Sequence, residues 1–456
     1  MEMGTLIQDV RYAIRLLKKS PGFAAVAILT LALGIGANTA IFSIVNGVLL
    51  TPLAFQEPQQ LYLVREIDPQ FSKFYPSFPA NFPSFLIWQR ECRSFQQIAL
   101  AGSISMDLTG AGDSREISGA KASANLFDVL GIRPDLGRLF RPEEDQPGHD
   151  RVVILTNSFW RSQFNGDPQI VGKSVRLDGN SYEIVGVLPA SFHFPKEEGL
   201  GALTQFGAHT EFFKPLGMDP AGVALVGDFD FAAIARLKPG VTREAALAEL
   251  NVVQAQISKQ SGEDVTLRAD LIPLETQVIG PARRGLLLLL GAVGAVMLIV
   301  CVNLVNLLLA RMPGRMREAA IRTALGATRT RLARQMLTES LLLSVAGGLA
   351  GVALAYNGLH WLVNAAPIGL PRLDEVRVDS RALWFAFSLS VFTGVLFGIL
   401  PAWRVARADA QRALKSSGTR TTEGRGSLRM RETLIGFEVG LSTVLLILAG
   451  LLTTSL

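Results

Sequence analysis

The chain has 456 residues, 49% of them hydrophobic and 18% charged, with a formal net charge of +5 at pH 7 and a mean hydropathy of +0.32. That balance is too apolar and too poor in charge for an ordinary soluble enzyme, and it points to membrane insertion. The basic excess does not read as nucleic-acid binding, because the lysines and arginines crowd beside apolar runs, where membrane topology accounts for them.

Residues 1–22 read as a cytoplasmic amphipathic helix. Ile7, Val10, Ile14 and Leu17 share one face and Arg11, Arg15 and Lys18 another, so the helix is expected along the inner membrane surface, in contact with lipid. Residues 23–50 carry no charge and are long enough to cross a hydrocarbon core of ~30 Å. A cleaved signal peptide is the rival reading, since Lys18 and Lys19 resemble its basic start, but the apolar run is too long for one. Residues 51–281 form a folded domain. Uncharged runs at 286–309, 341–363 and 382–403 are the next three spans, and a fifth at 434–456 contains only Glu438. The expected architecture is an α-helical transmembrane protein of about five spans, with a large mixed α/β extracytoplasmic domain between spans one and two.

Basic residues set the orientation. Arg11, Arg15, Lys18 and Lys19 precede span one. Between spans two and three, in the 310–340 segment, stand Arg311, Arg315, Arg317, Arg322, Arg329, Arg331 and Arg334, set against Glu318; many more basic residues lie in 404–433. The short 364–381 connection instead balances Arg372, Arg377 and Arg381 with Asp374, Glu375 and Asp379. The N-terminus and the 310–340 and 404–433 segments are thus expected in the cytoplasm, and 51–281 outside; Arg283 and Arg284 are a minor violation of the rule.

Within the outer domain, short strand patterns ("RVVILT", "SVRLDG", "SYEIVGVL", "FDFAAIARL") alternate with helical ones ("NSFWRSQF" and "TREAALAELNVVQAQISKQ"), the second placing Ala246, Leu250, Val253 and Ile257 on one face. The stretch "FSKFYPSFPANFPSF" reads as a surface loop or a partner-facing patch. Residues 166–174, GDPQIVGKS, miss a phosphate-gripping loop by one position. Five residues separate Gly166 from Gly172 where four are needed, and Pro168 removes an N–H donor. The four histidines form no catalytic motif; His193 and His209 with Glu197 and Glu198 match no compact metal spacing. Cys92 lies outside and Cys301 within span two, so they cannot pair. No enzyme chemistry, cofactor or metal is implied.

Several ordered segments carry a family resemblance. "LFDVLGIRPDLGRLFRPEED", the stretch from "VVILTNSFW" to "PASFHFP", and "AIARLKPGVTREAALAEL" resemble the periplasmic core domain of MacB-type permeases. "REAAIRTALGATRTRLARQMLTESLLLSVAGGLAG" and "GILPAWRVARADAQRALKSSG" resemble the FtsX-like permease module. Within that pattern GDPQIVGK is a domain signature. The opening 50 residues are similar to the acidobacterial duplicated orphan permease branch, and 434–456 resembles the first span of a second copy, so the chain reads as truncated. The resemblance implies a permease subunit of an ABC transporter that works with a separate cytosolic ATPase, as a homodimer or an intramolecular pseudo-dimer. Bacterial inner membrane is the expected location. The spans would transmit movement to the outer domain for export or release of a client, without forming a substrate tunnel. A membrane-anchored sensor or scaffold without an ATPase is the alternative.

The expected working parts follow. Gly326, between "MREAAIRTAL" and "TRTRLARQML", joins two short helices into a hairpin below the membrane. Leu325, Gly326 and Ala327 form its tip, with Glu318 and Arg322 as a supporting i,i+4 pair, the whole gripped by the ATPase. Gly347 with Gly351, and Gly394 with Gly398, are small-xxx-small pairs for helix packing. Asn303, Asn306 and Glu438 are polar groups at a costly depth, expected to face protein or the interface.

Overall fold

The computed structural model describes residues 2–109, 114–194, 210–223, 229–261, 266–324, 328–365, 376–407 and 425–455. The described helices are α1 (Glu2–Lys19), α2 (Pro21–Val45), α3 (Phe82–Glu91), α4 (Leu126–Leu130), α5 (Asn157–Phe164), α6 (Arg243–Gln260), α7 (Leu274–Ala324), α8 (Arg329–Ala365), α9 (Ser380–Arg407) and α10 (Arg425–Ser455). Two compact units result. One comprises Thr51–Arg283 with Leu370–Arg372, the other Met1–Leu50 with Arg284–Gly369 and Leu373–Leu456.

The second unit is helical. Among the described residues, Pro21–Leu50, Ala282–Arg311, Thr330–Leu362 and Ser380–Ile399 are long and apolar enough to cross a membrane; α10 contains the fifth apolar run. Pro21 sits in the first turn of α2, where its missing N–H costs no helical bond, and α2 ends in a π-helical turn, Asn46–Leu50. The bundle is organised around α8, which packs against α2, α9 and α1. Leu31 and Ile35 of α2, Met297, Cys301 and Leu304 of α7, Leu343 of α8 and Phe397 of α9 share one buried cluster. Apolar contact alone gives little drive between helices in lipid, so backbone proximity and buried hydrogen bonds carry the packing. The Asn38 amide donates to Val293 O at 2.9 Å, tying α2 to α7. Ser344 Oγ and Thr393 Oγ1 lie 2.9 Å apart between α8 and α9.

The expected pair of short helices around Gly326 is replaced by the ends of two long ones. α7 runs unbroken to Ala324 and α8 begins at Arg329. Pro313 and Gly314 look like a helix stop, yet α7 passes through them.

The outer unit is built on a 10-stranded sheet of β1 (Leu61–Ile67), β2 (Phe95–Thr109), β3 (Arg115–Ala122), β4 (Leu136–Gly137), β5 (Val152–Leu155), β6 (Ser174–Leu177), β7 (Asn180–Val187), β8 (Phe212–Pro215), β9 (Ala232–Leu237) and β10 (Arg268–Pro273). Its order is β10-β1-β9-β2-β3-β8-β5-β7-β4, with β6 pairing β2 and β7. The β3–β8 and β5–β7 pairs are parallel and the other pairs antiparallel, so this is a mixed α/β domain. Ala246, Leu250, Val253 and Ile257 of α6 pack with Phe82, Phe85 and Trp88 of α3 on one core. Phe82 and Phe85, expected in a loop, lie on α3, whose Pro83 occupies the first turn where proline is accepted. The edge strand β10 is shielded by α6. Ala269 N donates to Asn251 Oδ1 at 2.9 Å and Arg243 Nε to Leu271 O at 2.6 Å, so these outer backbone groups of the edge are already bonded.

One polar group interrupts that core. Glu66 on β1 is wholly buried; its carboxylate accepts from Asn81 N at 3.1 Å and from Gln254 Nε2 at 2.7 Å, and Gln254 Oε1 accepts from Trp88 Nε1 at 2.9 Å. Burial pushes the Glu66 carboxyl up to about 7, against the opposing pull of those hydrogen bonds.

Candidate functional site

Glu318 and Arg322 stand one turn apart near the end of α7, and Arg322 Nη2 reaches Glu318 Oε1 at 2.5 Å. Both side chains are partly solvated, so the pair alone is worth about 0.3–0.5 kcal/mol. What surrounds it makes it a junction. Tyr12 of α1 donates its hydroxyl to Glu318 Oε1 at 2.7 Å and accepts from Arg322 Nη2. The Arg322 guanidinium also lies over the Tyr12 ring, 4.7 Å from its centroid, while Nη1 donates to Gln335 Oε1 of α8 at 2.9 Å. Burial, seconded by the Glu318 carboxylate, pushes the Tyr12 phenol above its usual range, and Arg322 opposes the shift. A cleft beside the cluster is lined by Leu16, Leu332, Met336 and Glu339. Leu325, Gly326 and Ala327 lie outside the described residues.

Local sequence pattern does not reveal Tyr12, because its partners are more than 300 positions away. The face α1 presents to protein also differs from expectation. Ala13 is buried and Leu17 packs against the bundle core, whereas Ile14 is exposed.

The glycine pairs sit at helix crossings within the chain. A Cβ on Gly347 would lie 2.5 Å from Leu31 Cβ, and one on Gly351 would lie 2.9 Å from Ala32 O, so α2 and α8 approach to backbone contact. Gly394 faces Ser344 and Leu341, and Gly398 faces Leu337, at the α8–α9 crossing. Asn306 keeps a buried Oδ1 with no partner among the described residues, and Glu438 is half-buried on α10.

In the near-miss loop, Gly166 N donates to Trp160 O, Gly172 N to Ile184 O and Lys173 N to Ile170 O. Those amides are turned toward the protein's own carbonyls. Lys173 Nζ is bound to Asp167 Oδ2 at 2.5 Å, and that contact, with the Gln169 amide, holds the Asp167 carboxyl below its usual range. His209, Glu197 and Glu198 lie outside the described residues, among which no three His, Cys, Asp or Glu side chains are grouped to hold a metal. Cys92 and Cys301 are free thiols, and burial pushes Cys92 up to about 12.

Membrane-length helices thus carry a large mixed α/β domain inserted after the first of them. Residues 24–253 match the MacB-like periplasmic core domain family, and residues 290–410 match the FtsX-like permease C-terminal family. The chain belongs to the MacB/FtsX-type ABC transporter permeases and is a multi-pass membrane protein. It is similar to the pyoverdine export ATP-binding/permease protein PvdT of Pseudomonas putida, 34% identical over 280 residues that cover 61% of this chain and 40% of that protein. The macrolide export ATP-binding/permease protein MacB of Wolinella succinogenes is 27% identical over 313 residues, 68% of this chain and 45% of the relative. The chain thus spans about two fifths of the length of the curated relatives it matches. Among solved structures, the periplasmic region of MacB from Actinobacillus actinomycetemcomitans aligns with 13% identity over 50% of this chain and 92% of that one, with a TM-score of 0.33.

Proposed function

We propose that this permease transmits ATP hydrolysis by a separate cytosolic ABC ATPase to its outer domain, whose movement exports or releases a client. The N-terminus and the α7–α8 connection then face the cytoplasm, as the flanking arginines favour, and the chain itself hydrolyses nothing. It works in the bacterial inner membrane as a homodimer, or as a pseudo-dimer with a second copy of the four-span unit. The observation that carries the reading is the junction of Tyr12, Glu318, Arg322 and Gln335. It cross-ties three helices directly beside the connection from α7 to α8, where a moving partner would need a contact that resists displacement. Gly347 and Gly351, with Gly394 and Gly398, bind α2, α8 and α9 closely enough to move together.

In this reading Leu325, Gly326 and Ala327, which lie outside the described residues, meet the ATPase, with Leu325 as the apolar anchor. Leu325→Asp would bury an unpaired carboxylate at that contact and cost several kcal/mol, on the order of complete loss of pull-down, while Arg329→Gln should change little. ATPase capture and stimulation are compared at equal membrane expression. If Leu325→Asp binds and stimulates like the parent, the connection is only a topology signal and the coupling reading fails.

A further inference from the structure

α1 is held to the bundle by Ala13, which is buried, and by Leu17, which packs on the helices' shared hydrophobic cluster. Tyr12, next to Ala13, therefore starts from a fixed backbone. A phenol can donate to a carboxylate and accept from a guanidinium at once, and Tyr12 does both, with its ring lying against the same guanidinium. Arg322 is in this way clamped from one side by α1, while its other nitrogen holds Gln335 near the start of α8. α1 continues through Ser20 into α2, with Ser20 N bonded to Leu17 O and Ala24 N to Ser20 O. A displacement of the α7 end consequently reaches α2 through Tyr12 as well as through α7.

We propose that Tyr12 is a positioning residue for ATPase coupling, holding the last turn of α7 against the first turns of α8 and passing their displacement through α1 to α2. This rests on the coupling reading above. The role differs from that of a lipid anchor on α1, which would depend on the exposed cations Arg11, Arg15, Lys18 and Lys19 and not on an inward-facing phenol.

The test uses the full chain with Cys92→Ala and Cys301→Ala. Spin labels are placed at the exposed positions Gln8→Cys and Thr330→Cys, and in parallel the unlabelled chain is assayed with the ABC ATPase that copurifies with it. The parent should give one narrow label distance. Tyr12→Leu should broaden it and lower maximal stimulated hydrolysis about five- to twentyfold, leaving the half-saturating ATPase concentration within about twofold, since the clamp shapes the response and not the contact. Tyr12→Phe retains the ring under Arg322 and loses the hydroxyl, so it should fall between parent and Tyr12→Leu. A parent-like distance or a parent-like maximal rate in Tyr12→Leu overturns the proposal, and so does a loss confined to half-saturation. If the parent chain stimulates no ATPase, the coupling reading itself falls and takes this proposal with it.

Discussion

Glu66 offers the sharpest energetic test of the outer domain. Its carboxyl is wholly buried, bonded to Asn81 N and Gln254 Nε2, and pushed from an ordinary value of 4.5 to about 7 by desolvation. Between those values the folded domain keeps a proton that the unfolded chain has released. Stability therefore falls as pH rises through that window and levels off above about 7, by ~3 kcal/mol in all, since each tenfold change in proton affinity corresponds to about 1.4 kcal/mol. Glu66→Gln removes the titrating group, but its amide nitrogen cannot accept where one carboxyl oxygen accepts from Asn81 N or Gln254 Nε2. It should be less stable than the parent near pH 5 and should lose the parent's fall in stability between pH 4.5 and about 7. Urea unfolding in detergent, with Trp361, Trp384 and Trp403 replaced by Phe so that fluorescence reports Trp88 and Trp160, would follow both chains from pH 5 to 8. Asp145, also raised by burial, contributes its own slope to both, so the difference between the curves isolates Glu66. Parallel curves would refute the reasoning.

Gly347→Ala should destabilise the bundle by about 1–3 kcal/mol, because its Cβ would overlap Leu31 Cβ, whereas Gly358→Ala meets open space and should gain up to ~1 kcal/mol of helix propensity; detergent unfolding midpoints compare the two. Lys173→Ala should leave both nucleotide binding and ATPase stimulation by the complex unchanged, since Lys173 is engaged with Asp167 and the loop amides bond to the protein's own carbonyls; titration with a fluorescent ATP analogue checks the first.

The spans and the α/β character of the outer domain are legible in the sequence because both rest on local periodicity. Uncharged runs at 23–50 and 382–403 contain little but apolar and small residues, and the buried face of α6 repeats at helical spacing. Strand β2 is not legible. Its sequence, FQQIALAGSISMDLT, mixes small and polar residues without clean alternation, since it sits mid-sheet and pairs with β9, β3 and β6 in turn, so different stretches of it meet different neighbours. The order of strands is equally hidden: β1 lies between β9 and β10, more than 160 positions later in the chain, and no turn chemistry records such a closure.

The working residues follow the same division. Glu318 and Arg322 are visible as a pair because four residues separate them on one helix, while Tyr12 and Gln335, which turn that pair into a junction of three helices, lie on other helices. A signal for the hidden partners does exist, in residues that break an apolar local pattern. Asn38 interrupts span one and binds Val293 O; Asn46 ends it and binds Asp379, which caps α9; Glu66 interrupts the apolar strand LYLVREI and binds Gln254. Each is too costly to bury without a partner, so each implies a distant partner while giving no indication of which residue it is. Tyr12 belongs to the same class in weaker form. A half-buried phenol needs an acceptor, and the 310–340 segment, rich in arginine, offers the carboxylates Glu318 and Glu339; the structure pairs Tyr12 with Glu318. The interruptions at Tyr12, Asn38 and Glu66 tie α1, α2 and β1 to elements more than 180 positions away, whereas Thr39 and Ser43, in the same span as Asn38, bond to carbonyls four residues back.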